Sequence, residues 1–170
     1  MKRKNRHQSG FTMLEVLIAT TIMSFAVIAV TQAVAVAQMQ TYEALHDNRA
    51  TTLAEAFLEE VVSKAYADPA GGTPDDLGPE TGETTRILYD NIDDYHGFTR
   101  DTIKLEPDVI TDIAGNVYPI TYQKFSVNIS TTYTTITLFE PVTGINVIVT
   151  VTDKTGRPWQ ATQFVPESGG

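Results

Sequence analysis

The sequence contains no cysteine. This excludes disulfides, cysteine-ligated zinc and thiol catalysis, although it does not identify the redox compartment. The sequence also lacks a glycine-rich phosphate loop, a G-x-S-x-G nucleophile motif and an H-E-x-x-H zinc motif, which are typical of common catalytic sites. We therefore expect no enzymatic activity and no cofactor.

The first ten residues contain no acidic side chain, although the whole chain has 21 of them. Four basic residues, Lys2, Arg3, Lys4 and Arg6, precede Gly10. Without this segment, 8 basic side chains would face 21 acidic ones, a net charge of −13. Nucleic-acid binding requires a basic surface that neutralises phosphates, so no nucleic-acid partner is expected.

Proline and glycine are both missing between Phe11 and Asp68, and no charged residue occurs from Val16 to Tyr42. About 20 apolar residues suffice for a helix to cross a membrane. A secretory signal peptide would have a shorter apolar core, then small residues and a helix break. We therefore predict a transmembrane segment, with the basic leader in the cytoplasm and the acidic body across the membrane.

Strong helix formers dominate this stretch and predict one helix of more than fifty residues, from about Phe11 to Tyr66. Its second half is amphipathic, and Glu55 and Glu59 are expected to face solvent. The predicted apolar stripe is Leu53, Phe57, Val61 and Ala65, with Leu58, Val62 and Tyr66 beside it.

The segment ADPAGGTPDDLGPETGE ends the helix, because proline and glycine disfavour its continuation. It predicts an exposed acidic loop that continues to about Arg86. Strand candidates follow in RILYD and DTIKLEPDVI, on either side of a loop at NIDDYHGFT, and then in VYPITYQKFSVNIS and YTTITLFE.

The last segment, INVIVTVTDKTGRPWQATQFV, predicts a β-hairpin with its turn at DKTG. The first strand places Ile145, Val147, Val149 and Val151 on one face and Thr150 and Thr152 on the other, and the second strand carries Trp159, Ala161 and Val165. The predicted fold class is α+β, with an antiparallel sheet packed on the amphipathic half of the long helix.

A basic leader ending in Gly10, then FTMLEVLIA, a long helix and a β-rich body, resembles the type IV pilin and pseudopilin superfamily. The resemblance is tight over about thirty residues. It implies that a prepilin peptidase cuts between Gly10 and Phe11 and that the new amine of Phe11 is methylated. It also implies an inner-membrane, single-pass protein whose periplasmic body enters a pilus or pseudopilus. The implied partners are other pilins or pseudopilins, contacted through the helix, and the inner-membrane assembly platform.

On this resemblance the chain divides into five segments. They are a leader at 1–10, a transmembrane and polymerisation half of the helix at 11–39, an amphipathic half at 40–67, an acidic loop at 68–86, and a β-rich periplasmic body at 87–170.

Glu15 is a lone carboxylate at the start of the uncharged segment. A charge in hydrocarbon costs several kcal/mol, so such a residue is usually kept for function. The resemblance implies that Glu15 pairs with the amine of Phe11, on its own chain or a neighbour, and sets the axial register between packed helices. Thr12 and Leu14 belong to the same assembly motif. The alternative is that Glu15 merely extends to the membrane interface.

The absence of a helix-breaking proline and of a C-terminal disulfide suggests a minor pilin or pseudopilin. LAEAFLEEVVSKAYADP, NIDDYHGFTRD and the terminal hairpin resemble the MshD-like minor pilins of the mannose-sensitive haemagglutinin pilus. The expected function is initiation or assembly of a type IV pilus by a minor pilin-like subunit. The alternatives are a minor pseudopilin of a type II secretion system, a filament-tip adhesive module, or a simple single-span anchored periplasmic protein.

The segment NIDDYHG, with Asp90 just before it, gives Asp90, Asp93 and Asp94 as weak metal-ligand candidates. Their spacing is not that of an EF-hand loop. The alternative is an Asp-rich turn, in which Gly97 adopts a positive φ and aspartates cap backbone amides. His96 would serve as a general base only beside a nucleophile or metal.

Two other side chains are predicted to be structural. His46 is expected at the helix surface. Trp159 is expected to pack in the core or across strands, with an adhesive contact as the alternative.

Overall fold

The computed structural model describes residues 12–68, 77–101, 109–137 and 139–167. The leader, Gly10 and Phe11 lie outside the described residues, as do parts of the predicted acidic loop and of DTIKLEPDVI. The chain divides into two compact units, residues 1–45 and 46–170. Each unit is described by itself below.

The α-helix α1 spans Met13–Val62, 50 residues. Its predicted end at Tyr66 is wrong by four residues, because the backbone after Val62 pairs elsewhere. The Ala65 N–H donates to the carbonyl of Asp90 at 3.3 Å, and the Ala65 carbonyl accepts from the N–H of Ile92 at 3.0 Å. Ala65 is exposed, so it is not part of the buried stripe.

In the first unit, the described part consists of Thr12 and of α1 from Met13 to Leu45, and every side chain there is exposed. By length and composition, α1 is the one described helix able to cross a membrane. The uncharged segment identified in the sequence therefore forms a continuous helix whose apolar side chains are not covered by any other described residue of their unit.

The second unit contains a four-stranded antiparallel sheet in the order β1-β2-β3-β4. The strands are β1 Thr99–Asp101, β2 Phe125–Thr137, β3 Pro141–Asp153 and β4 Pro158–Pro166. Sequential order and antiparallel pairing make the sheet a meander. Together with α1 it confirms the predicted α+β class.

One apolar core joins the amphipathic part of α1 to the sheet. Within the predicted stripe, Leu53, Phe57 and Val61 are fully buried, whereas Leu58 and Val62 are partly buried against the core. The sheet contributes Phe125, Val127, Ile129, Ile145, Val147, Val149 and Val151. Burying each large apolar side chain contributes about 1.5–3 kcal/mol, so this face attaches the helix to the sheet.

Strand periodicity is confirmed at the terminal hairpin, where β3 and β4 pair along their length with Val151 opposite Trp159 and Val149 opposite Ala161. The four predicted β3 side chains are fully buried, and Thr150 and Thr152 lie on the more exposed face. Gly156 has a φ of +85° in the connecting turn, a conformation that favours glycine.

Three strand predictions need correction. RILYD begins with a 3-10 turn at Arg86–Leu88 rather than a strand. VYPITYQK forms turns before β2, because the Gln123 side chain bonds to the backbone of Ile110 and Tyr118. The strands predicted in VYPITYQKFSVNIS and in YTTITLFE join across Thr131 and Thr132 into one continuous strand, β2.

Candidate functional site

The N-terminal half of α1 presents an apolar surface with one carboxylate near its beginning. Leu14 is 69% exposed, and Thr12 and Glu15 are also exposed. Among the described residues, the Glu15 carboxylate forms no hydrogen bond or ion pair. The predicted partner of Glu15, the amine of Phe11, lies outside the described residues, so that pairing stays a prediction.

Thr12 also has a local role that the sequence interpretation missed. Its Oγ1 accepts a hydrogen bond from the Glu15 N–H at 3.3 Å, and its carbonyl accepts one from the same N–H at 3.0 Å. This is half of a capping box, whose T-x-x-E signature was present in the sequence. Thr12 therefore fixes the beginning of the helix, and thus the position of Glu15.

The hydroxyl groups in the apolar half are satisfied within the helix. Thr21, Ser24 and Thr31 donate to the carbonyls four residues earlier at 2.7, 2.8 and 2.8 Å, and Thr20 donates to the Leu17 carbonyl at 3.0 Å. Such bonds remove the need for a solvent partner, which hydrocarbon cannot supply. From Val16 to Thr31, the hydroxyl groups of this surface therefore need no hydrogen-bond acceptor from outside the helix.

Residues 5–31 match the family model of the prokaryotic N-terminal methylation motif. The match includes the presumed cleavage position at Gly10, the capped start of α1 and Glu15. No curated protein matches the chain, and no solved structure matches it.

The methylation motif supports a type IV pilin-like or pseudopilin-like protein that is processed as a prepilin, and the exposed apolar helix together with the motif suggests membrane anchoring. The motif belongs to structural proteins rather than to enzymes. The partners of the chain are therefore expected among pilus components and the membrane.

The Asp-rich segment of the second unit forms the turn that the sequence analysis gave as an alternative to a metal site. Asp94 Oδ2 accepts hydrogen bonds from the backbone N–H groups of Asp90 and Asn91 at 2.8 and 3.0 Å. Gly97 has the predicted positive φ, +74°. The His96 ring Nδ1 lies 2.8 Å from the Thr131 carbonyl oxygen, a contact that fixes the turn against β2.

Asp94 also approaches two glutamates that the sequence analysis did not single out. One carboxylate oxygen from each of Glu80, Glu83 and Asp94 can be chosen so that all three lie within 4.8 Å of one another. Asp90 and Asp93 do not belong to this cluster. Burial, together with the neighbouring carboxyl groups of Glu83 and Asp94, raises the pKa of Glu80 to about 7.

His46, predicted at the helix surface, instead packs against the sheet. Its side chain is 19% exposed, and its ring centroid lies 4.8 Å from that of Phe125 and 5.5 Å from that of Trp159. Its Nε2 contacts Asp153 Oδ2 at 3.2 Å. The prediction was wrong because β2 and β4 bring aromatic rings over this part of α1.

Asp153 organises the turn between β3 and β4. Its Oδ1 accepts hydrogen bonds from the Thr155 hydroxyl and from the backbone N–H groups of Thr155 and Arg157. Desolvation by burial tends to raise the pKa of Asp153, but these bonds and the one to His46 outweigh it and lower the pKa to about 2.

A buried polar cluster connects α1 to the segment before the sheet. Arg86 Nε lies 3.1 Å from Glu60 Oε1, which also accepts a 2.8 Å hydrogen bond from the Tyr95 hydroxyl. The Arg86 guanidinium stacks over the rings of Phe57 and Phe98, 4.9 and 5.5 Å from their centroids. Burial and the nearby Glu60 raise the pKa of Tyr95, so its hydroxyl remains a donor.

Trp159 packs within the protein, as predicted. Its ring is partly buried, meets Phe125 edge-on at 5.9 Å, and is covered by the Arg157 guanidinium at 4.5 Å from its centroid.

Proposed function

We propose that this chain is a minor pilin-like subunit of a type IV pilus. A prepilin peptidase removes residues 1–10 and the new amine of Phe11 is methylated. The observation that carries the proposal is the capped beginning of α1 inside the methylation motif, where the single carboxylate of Glu15 precedes an exposed segment that is uncharged from Val16 to Tyr42.

The assembly role of this helix follows from the physics of its surface. An unpaired charge in hydrocarbon is strongly disfavoured, whereas a paired one is tolerated. The charged amine at Phe11 would be the partner of Glu15, from the same chain or from a neighbour. Helices packing through residues 11–39 would then be held in one axial register, with Thr12 and Leu14 at the same contact.

The body would lie in the periplasm, since the basic residues of the leader favour its cytoplasmic retention. Its acidic charge opposes close approach of identical bodies. Assembly would therefore depend mainly on the helix and on contacts with other pilins and the assembly platform. The missing helix-breaking proline and the MshD-like segments support a minor rather than a major subunit.

The decisive experiment is intact mass spectrometry of protein extracted from membranes of a host with a prepilin peptidase. Wild type is expected to lose residues 1–10 and gain one methyl group. Gly10→Ala is expected to keep the leader, and Ser9→Ala, the matched control, is expected to be processed normally. An unprocessed wild type would contradict the proposal and favour a simple anchored protein.

Processing alone does not distinguish a pilus from a secretion pseudopilus. Filaments sheared from cells should contain the wild-type chain, whereas Glu15→Ala should be processed but excluded from them. Processed wild type confined to the membrane fraction while filaments form would contradict the pilus assignment and favour the pseudopilin alternative.

A further inference from the structure

The carboxylate cluster of Glu80, Glu83 and Asp94 lies in the second unit, apart from the helix used for assembly. Glu80 and Glu83 belong to one turn, in which the Glu83 N–H donates to the Glu80 carbonyl at 3.1 Å and the Glu80 N–H donates to Glu83 Oε2 at 3.2 Å. Gly82 supplies a φ of +119° between them. The turn thus directs both side chains towards Asp94, which belongs to a separate segment.

Asp94 provides an independent indication of a ligand. Its side chain is fully buried, and its Oδ2 is held by the two backbone N–H groups of Asp90 and Asn91. Its other oxygen, Oδ1, is also buried and has no hydrogen-bond partner within the part of the chain that the structure describes. A buried charged oxygen without a partner is costly, and the groups that approach this carboxylate are two more carboxylates.

Two basic side chains of the second unit are held by other groups. The Arg86 guanidinium pairs with Glu60, and Lys64 Nζ donates to the Tyr89 carbonyl. Three negative charges gathered in this way, one of them fully desolvated, repel each other unless a proton or a cation joins them.

The dimensions and chemistry of the cluster suit calcium. Calcium binds oxygen ligands at 2.3–2.6 Å, so two ligands on opposite sides of one ion lie about 5 Å apart. The 4.8 Å span of the three oxygens falls within that limit. Nitrogen and sulfur donors are absent from the cluster, which favours a hard cation over zinc or copper. Magnesium, at 2.0–2.1 Å, requires a tighter octahedron.

We infer that Glu80, Glu83 and Asp94 form a calcium site that fastens the turn at residues 80–83 to the segment 90–97, whose residues 91–95 are buried. This inference goes beyond the pilin-like function and does not depend on it. Calcium would replace the repulsion among the three carboxylates by a cross-link between two parts of the chain that are separate in sequence.

The test is calcium binding by the purified full-length chain in detergent, measured by isothermal titration calorimetry and thermal unfolding. Wild type is expected to bind one calcium ion. Its Tm is expected to rise by about 5 °C or more when calcium reaches about 100 times the Kd. Magnesium is expected to bind more weakly.

Two double variants separate a specific site from general attraction to an acidic surface. Glu80→Gln with Glu83→Gln should abolish both the binding heat and the Tm rise. Glu55→Gln with Glu59→Gln removes the same charge from the exposed face of α1 and should leave both unchanged. Circular dichroism without calcium checks that the Glu80→Gln, Glu83→Gln variant folds. If it does not fold, the two single variants are measured in its place.

Absence of calcium binding by wild type would overturn the inference, and a shared proton would then remain as the neutralising group. An equal calcium response in both double variants would also overturn it. Neither result would bear on cleavage at Gly10, so failure here is distinguishable from failure of the pilin-like function.

Discussion

The two halves of α1 have the same backbone structure but different surroundings. From Met13 to Leu45 every side chain is exposed, whereas from Ala50 to Val61 a stripe of side chains is buried beneath the sheet. The difference shows that the two halves of one helix are stabilised by different surroundings. Its second half depends on the protein's own core, and its first half requires an apolar environment from a membrane or from other helices.

The two regions also differ in whether their charged side chains have partners. In the second unit, Glu60 is paired with Arg86 and Asp153 with His46. In the first unit, the Glu15 carboxylate has no partner among the described residues. The body therefore satisfies these charges internally, whereas the helix leaves the charge of Glu15 for an intermolecular or terminal partner.

The largest expected effect comes from matched phenylalanine substitutions in the two halves. Phe57 is 1% exposed and Phe25 is 69% exposed. Phe57→Ala should lower the free energy of unfolding of the body by about 3–5 kcal/mol, because it leaves a cavity in the core. Phe25→Ala should leave that free energy unchanged. Denaturant unfolding of both variants in detergent, followed by tryptophan fluorescence, measures the difference.

Equal destabilisation by the two substitutions would contradict the division of α1 into an independent apolar half and a core half. Phe57→Leu provides a milder version if Phe57→Ala does not fold.

A somewhat smaller effect is expected from the buried charge pair. Arg86→Ala leaves the Glu60 carboxylate without its ion partner in the core, which should cost about 3 kcal/mol of unfolding free energy. Arg157→Ala removes an arginine that is 46% exposed and pairs with Asp47 at 2.8 Å. This second change should cost less than about 1 kcal/mol, because solvent screens surface pairs. A similar loss of unfolding free energy in both variants would show that the buried Glu60–Arg86 pair stabilises the fold no more than a surface pair does.

The smallest of these effects is expected for Asp153, whose carboxylate contacts His46 at the beginning of the second unit. The pKa of Asp153 is lowered from 3.8 to about 2. Because the folded value is below the unfolded one, this carboxylate stabilises the fold fully above pH 4 and progressively less as the pH falls towards 2. Asp153→Asn should therefore cost on the order of 1–2 kcal/mol at pH 7.

The difference between wild type and Asp153→Asn should narrow between pH 4 and pH 2. Urea unfolding at pH 7, 4 and 2.5 measures it, with Glu55→Gln as an exposed acidic control. A difference that does not change with pH would refute the assigned role of the Asp153 charge, leaving only the geometry of the turn.

Periodic features of the molecule were predictable from the sequence. The buried stripe at Leu53, Phe57 and Val61 and the terminal hairpin follow from repeats of 3.6 and 2 residues, and the approximate length of α1 follows from a run of strong helix formers without proline or glycine. These signals are local and repeated, so a single exception such as Ala65 does not hide them.

Features that depend on pairing between distant residues were not predictable in the same way. RILYD has the composition of a strand, but Arg86 enters the core to meet Glu60, and a 3-10 turn results. His46 is buried by rings from two strands far along the chain. The cluster of Glu80, Glu83 and Asp94 likewise depends on a turn that meets another segment. The Thr12 cap was local, and its signature was overlooked.

The internal hydrogen bonds of Thr20, Thr21, Ser24 and Thr31 have a consequence for how neighbouring subunits would recognise one another. Because these hydroxyl hydrogens are used within the helix, the face from Val16 to Thr31 offers no free hydroxyl donor to a neighbour, and hydroxyl groups would therefore select a rotation or sliding position only weakly. Positional information along this face is then concentrated at Glu15. A subunit of this kind could be replaced in the helical core by any other that carries a carboxylate at the same position. Only its body would then distinguish it from the other subunits of a mixed filament.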